Sequence, residues 1–217
     1  MSSGDGRRTR VKICGLTRPA DAELAVSLGA DLLGLNFWPG SVRHLEPAVA
    51  REIADAVRGD VTLVGVFVNE EPERVEEIAA EIGLDLLQFH GDEGPEDLVA
   101  FSARAIKAVR FTGTPEPGAL AGYPSAWGFL VEARAGGTYG GAGQGWDHGA
   151  ARTLAGGELA GRPLLIAGGL RPENVGAAIE ASGAWGVDVA TGVESEPGVK
   201  DRVKLERFFA EVRRAAP

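Results

Sequence analysis

Residues 10–23 read RVKICGLTRPADAE: a short run of alternating apolar residues gives way to a glycine, and a proline then opens an amphipathic stretch. Such a run is typical of a β-strand, and proline is favoured in the first turn of a helix. The stretch therefore predicts one strand-loop-helix unit. It also contains the only cysteine of the chain, Cys14, at the predicted end of the strand.

The same unit recurs along the chain. Apolar runs rich in Val, Ile, Leu and Phe have centres about 20 to 35 residues apart, which is the length of one strand-loop-helix-loop unit. Helix signals follow several of them, in RPADAELAVSLGA, EPERVEEIAAEIG and RPENVGAAIEASG. The eight runs are RVKIC (10–14), LLGLNF (32–37), TLVGVF (62–67), LDLLQF (84–89), RAIKAV (104–109), WGFLVE (127–132), PLLIA (163–167) and WGVDVA (185–190).

This alternation favours an α/β fold built as a single (β/α)8 barrel, a TIM barrel, over residues 10–217. A doubly wound open sheet is the alternative, but it has fewer strands and often a glycine fingerprint after the first strand, where this chain has GLTRP. Two segments fit helices poorly: TGTPEPGALAGYP after the fifth run and the glycine-rich RAGGTYGGAGQG after the sixth. Residues 1–9 are polar and predict a disordered leader.

The composition argues against several classes of function. The chain has 217 residues, of which 44% are hydrophobic and 24% charged, with a net charge of −9. This acidic balance argues against a nucleic-acid partner, and no apolar run approaches the roughly 18 residues of a membrane span. A single cysteine allows no intrachain disulfide, and the leader lacks the apolar core of a secretory signal. We therefore expect a cytoplasmic protein without a membrane partner.

Polar side chains occur near the ends of several predicted strands, where barrels of this kind place their reacting groups. Strand alternation puts Lys12 and Cys14 on one face; if Val11 and Ile13 face the helices, Lys12 points into the barrel. A buried ammonium needs a partner, and Asp188, on the strand that neighbours the first in a closed barrel, is the candidate. The polar residues at strand ends are Cys14, Asn36, Gln88, His90, Glu132 and Asp188.

Each of these residues also has an ordinary structural interpretation. A lone buried cysteine more often packs as a small hydrophobic residue than reacts, and a single histidine such as His90 is more often a satisfied polar residue. Lys12 and Asp188 fit a role in structural support. Glu132 is harder to explain by packing, because a carboxylate directly after GFLV is a poor choice for a buried strand unless something uses it.

Glycines after the last two predicted strands indicate an anion site. AGG (167–169) leads into the predicted helix start LRPENV, and TGVESEPG (191–198) follows the eighth run. Loops at these places frequently hold a phosphate, and the free amides of helix starts bind anions. GGAG (140–143) offers a third set of backbone N–H groups. The predicted phosphate ligands are Gly168, Gly169, Thr191 and Gly192, with Gly141 and Gly143 as further substrate-binding residues.

Segments spread from residue 10 to about residue 209 resemble the phosphoribosylanthranilate isomerase family of tryptophan biosynthesis. The resemblance implies a barrel enzyme that converts N-(5-phosphoribosyl)anthranilate to 1-(2-carboxyphenylamino)-1-deoxyribulose 5-phosphate. This Amadori rearrangement consists of proton transfers and needs no metal and no organic cofactor. The segments are KICGLT, LGLNFWPGSVRHL, VGVFVN, LLQFHGDE, FLVEA, GGAGQGWD, IAGGLRPENV, DVATGVE and GVKD.

The resemblance also implies roles for single residues. Cys14 is then the general base, and Glu132 stands where the family has its general acid. Arg43 pairs with the anthranilate carboxylate, and His90 lies near the aromatic substrate. A thiol is a base only as thiolate, and the positive charge of Lys12 would favour that form.

Two positions depart from the family pattern. Family members usually carry aspartate where this chain has Glu132, and they commonly read phenylalanine-aspartate-tryptophan at 146–148, where this chain has WDH. A related barrel isomerase acting on another phosphorylated aminosugar is therefore one alternative. A catalytically silent homologue that binds a phosphate ester is another. The sequence leaves the oligomeric state open between a monomer and a homodimer.

Overall fold

The structure, a computed structural model, describes residues 8–111, 118, 120–133, 148–155, 159 and 161–215. Its eight barrel strands are β1 Arg10–Cys14, β2 Leu32–Asn36, β3 Thr62–Phe67, β4 Leu86–Phe89, β5 Ala105–Phe111, β6 Gly128–Ala133, β7 Leu164–Ile166 and β8 Gly186–Val189. They are parallel, follow one another in chain order, and close where β1 pairs with β8. The predicted TIM barrel is thus confirmed, and the pairing of β1 with β8 excludes an open sheet.

The described residues form six α-helices, and two of the three that the sequence predicts begin and end within two residues of the predicted bounds. The six helices are α1 Pro19–Leu28, α2 Pro47–Ala56, α3 Pro72–Ile82, α4 Ala151–Ala155, α5 Val175–Ser182 and α6 Arg202–Ala215. Proline stands in the first turn of α1, α2 and α3, and α1, α3 and α5 end at glycines with left-handed backbone. α5 begins later than predicted because Arg171 to Asn174 form a turn, in which Asn174 Oδ1 accepts the Arg171 amide at 2.8 Å. A 3-10 turn, Val99–Phe101, replaces a helix after β4.

Alternation along the strands divides the buried apolar residues into two layers. One layer packs between the strands and the surrounding helices. The other fills the barrel and consists of Leu32, Val64, Leu86, Ile106, Ala108, Leu130, Leu165 and Ala167. Gln88 and Glu132 stand two residues after Leu86 and Leu130, so they share the inward face one step nearer the carboxyl ends of the strands. The barrel interior is therefore apolar at its middle and polar at that end.

A short hairpin follows β8. A 3-10 turn, Thr191–Val193, leads into two antiparallel strands, β9 Glu194–Glu196 and β10 Val199–Lys200, before α6 begins. Thr17 Oγ1 donates to the Gly198 carbonyl at 2.6 Å, and the Lys200 amide donates to Asp21 Oδ2 at 3.0 Å. The sequence patterns above do not predict this hairpin, which places two charged residues beside the end of β1.

Two residues of the predicted leader are described. Arg8 forms an ion pair with Asp31, and Thr9 is buried. The boundary of the barrel domain at residue 10 stays a prediction. Within the described part of the chain, no helix combines the length and the apolar character needed to cross a membrane.

Candidate active site

A pocket at the carboxyl ends of the strands brings together seven residues that the sequence singles out: Cys14, Asn36, Arg43, Gln88, His90, Glu132 and Asp188. The rest of its lining consists of Gly15, Trp38, Ser41, Val66, Val68 and Ala190. A larger and more open groove at the amino ends of the strands contains none of the predicted residues. The chemistry of the first pocket makes it the candidate active site.

Cys14 is the last residue of β1, and the neighbouring strand leaves space for its thiol. Gly34 is its partner on β2, and a Cβ atom at Gly34 would lie 2.7 Å from the sulfur. Burial raises the pKa of the Cys14 thiol above its ordinary value, while the ammonium of Lys12 acts in the opposite direction. Lys12 thus favours the thiolate, as expected from the sequence, but it does not overcome the effect of burial.

Lys12 and Asp188 form a buried ion pair beside the thiol. Lys12 is fully buried, its Nζ lies 2.7 Å from Asp188 Oδ1, and the two residues are partners where β1 meets β8. Burial alone would lower the pKa of Lys12, but the carboxylate of Asp188 holds it above its ordinary value. The structure therefore contains the pair that strand alternation predicts.

Glu132 is held by two hydrogen-bonded side chains, Gln88 of β4 and His90 directly after it. Its Oε1 lies 2.9 Å from His90 Nε2, and His90 Nδ1 lies 2.8 Å from Gln88 Nε2. An amide nitrogen can only donate, so Nδ1 accepts and the ring proton sits on Nε2, from which it is donated to Glu132. Gln88 Oε1 is buried without a hydrogen-bond partner among the described residues. The sequence placed His90 near the substrate but did not indicate its contact with Glu132.

Arg43 is presented by the loop after β2. Asn36 Nδ2 donates to Ser41 Oγ at 3.3 Å, and Ser41 Oγ accepts the Arg43 amide at 3.1 Å. The stem of Arg43 passes over Gly15, where a Cβ atom would lie 2.3 Å from Arg43 Cδ and where φ is +70°. A glycine is required there both for the space and for the left-handed backbone.

The guanidinium of Arg43 is already bound on one edge. Its Nε lies 2.8 Å from Glu194 Oε1, and its Nη2 lies 2.6 Å from Glu194 Oε2 and 3.2 Å from Thr191 Oγ1. Among the described residues, Nη1 has no hydrogen bond. The sequence assigned Arg43 to a substrate carboxylate but did not single out Glu194, because nothing in the local pattern links β9 to the loop after β2.

The predicted phosphate residues lie on two adjacent loops. Gly168 and Gly169, after β7, have positive φ angles of 85° and 67°. Thr191 and Gly192 follow β8, and a Cβ atom at Gly192 would lie 1.9 Å from the carbonyl oxygen of Leu170. The close approach of these two loops therefore depends on Gly192.

Several predicted positions cannot be placed. Gly141 and Gly143 lie outside the described residues, as do Trp146 and Asp147 of the segment that departs from the family pattern. His148 is buried at the start of a 3-10 turn, His148–Ala150. Over the described ranges there is no cluster of three or more His, Cys, Asp or Glu residues able to hold a metal ion.

Comparisons with known proteins agree in both sequence and structure. Residues 11–211 match the family model described as N-(5′-phosphoribosyl)anthranilate (PRA) isomerase. The N-(5′-phosphoribosyl)anthranilate isomerase of Halorhodospira halophila is 47% identical over 208 residues, which are 95% of this chain and 98% of that protein. The crystal structure of phosphoribosyl anthranilate isomerase from Thermus thermophilus is 38% identical, with a TM-score of 0.85 over 95% of this chain and 99% of that one.

A third relative carries a bound ligand. It is a phosphoribosyl anthranilate isomerase in complex with reduced 1-(o-carboxyphenylamino)-1-deoxyribulose 5-phosphate. It is 33% identical, with a TM-score of 0.80 over 94% of this chain and 98% of that chain. The ligand has an aromatic carboxylate at one end and a phosphate at the other.

Proposed function

The chain belongs to the N-(5′-phosphoribosyl)anthranilate isomerase family and is an enzyme of that activity, and on this premise we propose that Cys14 is its general base and Glu132 its general acid. The observation that carries the proposal is that the only thiol of the chain and a buried carboxyl group line one pocket at the carboxyl ends of the strands. Arg43 and His90 line the same pocket.

The proposed reaction moves protons only. Glu132, in its protonated form, donates to the furanose ring oxygen as the ring opens to a Schiff base. The thiolate of Cys14 then removes the proton from the sugar carbon next to the imine. The resulting enolamine gains a proton at the carbon that bears the nitrogen and loses one from its hydroxyl group, which gives the aminoketose. One carbon is oxidised and its neighbour reduced, so no external electron donor, metal or organic cofactor is needed.

The contacts of Glu132 support the assignment of the acid. Its Oε1 accepts a hydrogen bond from His90 Nε2 at 2.9 Å, which fixes the carboxyl group. Oε2 has no hydrogen-bond partner within the described ranges, so it is the oxygen we assign to the proton that goes to the ring. His90 acts on the substrate through Glu132 in this arrangement, since its Nε2 is already engaged.

We assign the two ends of the substrate to different parts of the pocket. The anthranilate carboxylate approaches the Nη1 side of Arg43, because Glu194 occupies the other edge. The phosphate binds the backbone amides of Gly168, Gly169 and Gly192 together with Thr191. The substrate is thus a small phosphorylated aminosugar derivative, and the cytoplasm stays the predicted location.

Turnover tests the assignment through the loss of the anthranilate-type fluorescence of the substrate. Cys14→Ser and Glu132→Gln should each lower kcat by about two to four powers of ten, the usual contribution of a positioned proton donor or acceptor. Both variants should still bind reduced 1-(o-carboxyphenylamino)-1-deoxyribulose 5-phosphate. Asp31→Asn, which changes a carboxylate at the other end of the barrel, is the control and should keep kcat. Full turnover by Glu132→Gln would rule out Glu132 as the acid, because an amide cannot donate a proton at neutral pH.

A further inference from the structure

Two buried charged residues next to Cys14, Lys200 and Glu194, have no role in the proposed reaction. Lys200 of β10 has a side chain that is 0% exposed, and its Nζ donates to the Cys14 carbonyl at 2.6 Å and to Glu194 Oε1 at 2.8 Å. The side chain of Glu194, on β9, is 3% exposed and accepts hydrogen bonds from Nε and Nη2 of Arg43. One hairpin therefore connects the strand that carries the thiol to the arginine of the neighbouring loop.

We propose that Glu194 and Lys200 are positioning residues for substrate recognition. Glu194 holds the guanidinium of Arg43 by one edge so that the Nη1 side faces the pocket, and Lys200 fixes Glu194 against the end of β1. The inference rests on the proposed role of Arg43 in binding the anthranilate carboxylate.

The first argument is the edge of the guanidinium that Glu194 uses. An arginine fork can pair side-on through Nε and one Nη, or end-on through both Nη atoms, and either arrangement fixes the plane of the group. Glu194 takes the side-on edge of Arg43. It therefore orients the group without competing for Nη1, which an incoming carboxylate needs. An arginine held in this way loses less conformational freedom when the substrate binds.

The second argument is that Lys200 has no donor left for the substrate and that Glu194 is buried with both of its carboxylate oxygens engaged. An ammonium has three donors, and Lys200 Nζ directs them to Cys14 O, Glu194 Oε1 and, at 3.5 Å, Ala190 O. Both carboxylate oxygens of Glu194 accept from Arg43, and Oε1 accepts from Lys200 as well. Burial alone would raise the pKa of Glu194, but the hydrogen bonds from Arg43 and the charge of Lys200 hold it below its ordinary value. Glu194 is therefore an anion that acts through Arg43.

A second buried pair in the same barrel provides a matched control. Lys107 Nζ lies 2.7 Å from Glu93 Oε2, and both side chains are buried, at 4% and 6% exposure, nearly as deeply as those of Lys200 and Glu194. Glu93 accepts the backbone amides of Asn69 and Gly91 and thereby anchors the loop after β4. It contacts neither Arg43 nor Cys14. A substitution of Glu93 therefore measures how the loss of a buried ion pair affects stability and KM when Arg43 is not involved.

The test is a comparison of KM and kcat among variants of the whole enzyme. Glu194→Gln should raise KM by about tenfold, because the amide loses the charge-assisted pairing with Arg43, while kcat changes by less than about threefold. Arg43→Lys should also raise KM. The double variant should have no higher KM than Arg43→Lys alone, because Glu194 acts through Arg43. Glu93→Gln should lower the unfolding temperature and leave KM within about twofold.

Three outcomes overturn the inference. An unchanged KM in Glu194→Gln overturns it when Arg43→Lys has raised KM, and so does a double variant in which the two effects multiply. If Arg43→Lys itself leaves KM unchanged, the proposed role of Arg43 fails first and the inference falls with it. If Glu194→Gln does not fold, Glu194→Asp replaces it. The shorter side chain of aspartate cannot accept hydrogen bonds from Lys200 Nζ and from both Nε and Nη2 of Arg43 at once. An unchanged KM in Glu194→Asp therefore also overturns the inference.

Discussion

At the scale of single residues, opposing electrostatic influences act on the thiol of Cys14. Burial raises its pKa, the charge of Asp188 adds to that, and the ammonium groups of Lys12 and Lys200 counteract it without reversing the direction. The thiol therefore ionises at a higher pH than an exposed cysteine does. A stronger base results, but it is present as thiolate in only a small fraction of molecules at neutral pH.

This raised pKa predicts the pH dependence of the reaction. The proposed reaction needs the Cys14 thiolate together with the protonated carboxyl group of Glu132, so the active form carries one proton on this pair and kcat/KM of the free enzyme should follow a bell-shaped pH profile. Its alkaline decline reflects loss of that proton and should begin only above the ordinary pKa of a thiol, because burial raises the pKa of Cys14. The measurement is kcat/KM across the alkaline range, with Cys14→Ser as the variant in which this decline is absent. A decline that begins near neutral pH would show that another group, or a thiol of lowered pKa, is the base.

Glu132 offers a second prediction at this scale, because the resemblance described above implies an aspartate at this position. Glu132→Asp draws the carboxyl group back by about 1.5 Å, the length of one carbon-carbon bond. It would then lose the contact that now places Oε1 2.9 Å from His90 Nε2. A misplacement of this size lowers kcat by about a hundredfold. Turnover equal to that of the unchanged enzyme would mean that the longer side chain is a tolerated replacement, with no site built around it.

Residues differ in how well their contacts can be predicted from the sequence. The pairing of Lys12 with Asp188 follows from strand alternation and closure of the barrel, two regular features. The pairing of Arg43 with Glu194 spans 151 residues and joins two irregular loops, so no periodicity predicts it. The space that Gly34 leaves for the thiol is not predicted either, because it depends on which residues of β1 and β2 are partners.

At the scale of elements, the strands were predictable to within two residues at each end. Parallel strands that are covered on both faces are nearly continuous apolar runs, and these stand out between the amphipathic helices. Proline marks the starts of α1, α2 and α3, and glycine marks the ends of α1, α3 and α5. The hairpin of β9 and β10 is too short to show alternation. The later start of α5 follows from a local hydrogen bond, in which Asn174 Oδ1 accepts the Arg171 amide.

The contact between the loops after β7 and β8 gives a prediction for the phosphate site. A Cβ atom at Gly192 would lie 1.9 Å from the carbonyl oxygen of Leu170, so Gly192→Ala must push the two loops apart. We expect the inhibition constant of inorganic phosphate to rise by about tenfold, since backbone amides on both loops are assigned to the phosphate. Competition between phosphate and substrate in the turnover assay measures this constant.

Gly176→Ala is the matched control, because it adds the same methyl group in α5 near the loop after β7. The nearest atom to a Cβ there lies 3.7 Å away, an ordinary contact. Alanine in this first turn of α5 keeps the helical backbone and meets no close atom, so the variant should fold and leave phosphate inhibition unchanged. Equal phosphate inhibition in both variants would remove Gly192 from the phosphate site.

At the scale of the whole molecule, closure of the barrel depends on the seam between β1 and β8. Eight apolar runs in the sequence indicate closure, and the structure gives the full register at the seam. Four residues of β1, Arg10 to Ile13, pair with Gly186 to Val189 of β8, and Lys12 faces Asp188 within that register. The seam thus contains a buried ion pair directly below the residue proposed as the base.

The seam predicts how the unfolding free energy responds to a change of charge. Asp188→Asn leaves the fully buried ammonium of Lys12 without its carboxylate, so it should lower the free energy of unfolding by about 3–5 kcal/mol. Lys12→Met combined with Asp188→Asn removes both charges. It should recover most of the loss, because a neutral pair carries no uncompensated charge into the core. Urea unfolding of the three proteins measures the difference. A double variant as unstable as Asp188→Asn alone would show that the seam needs the ion pair itself, whereas an unaffected single variant would show that water reaches Lys12.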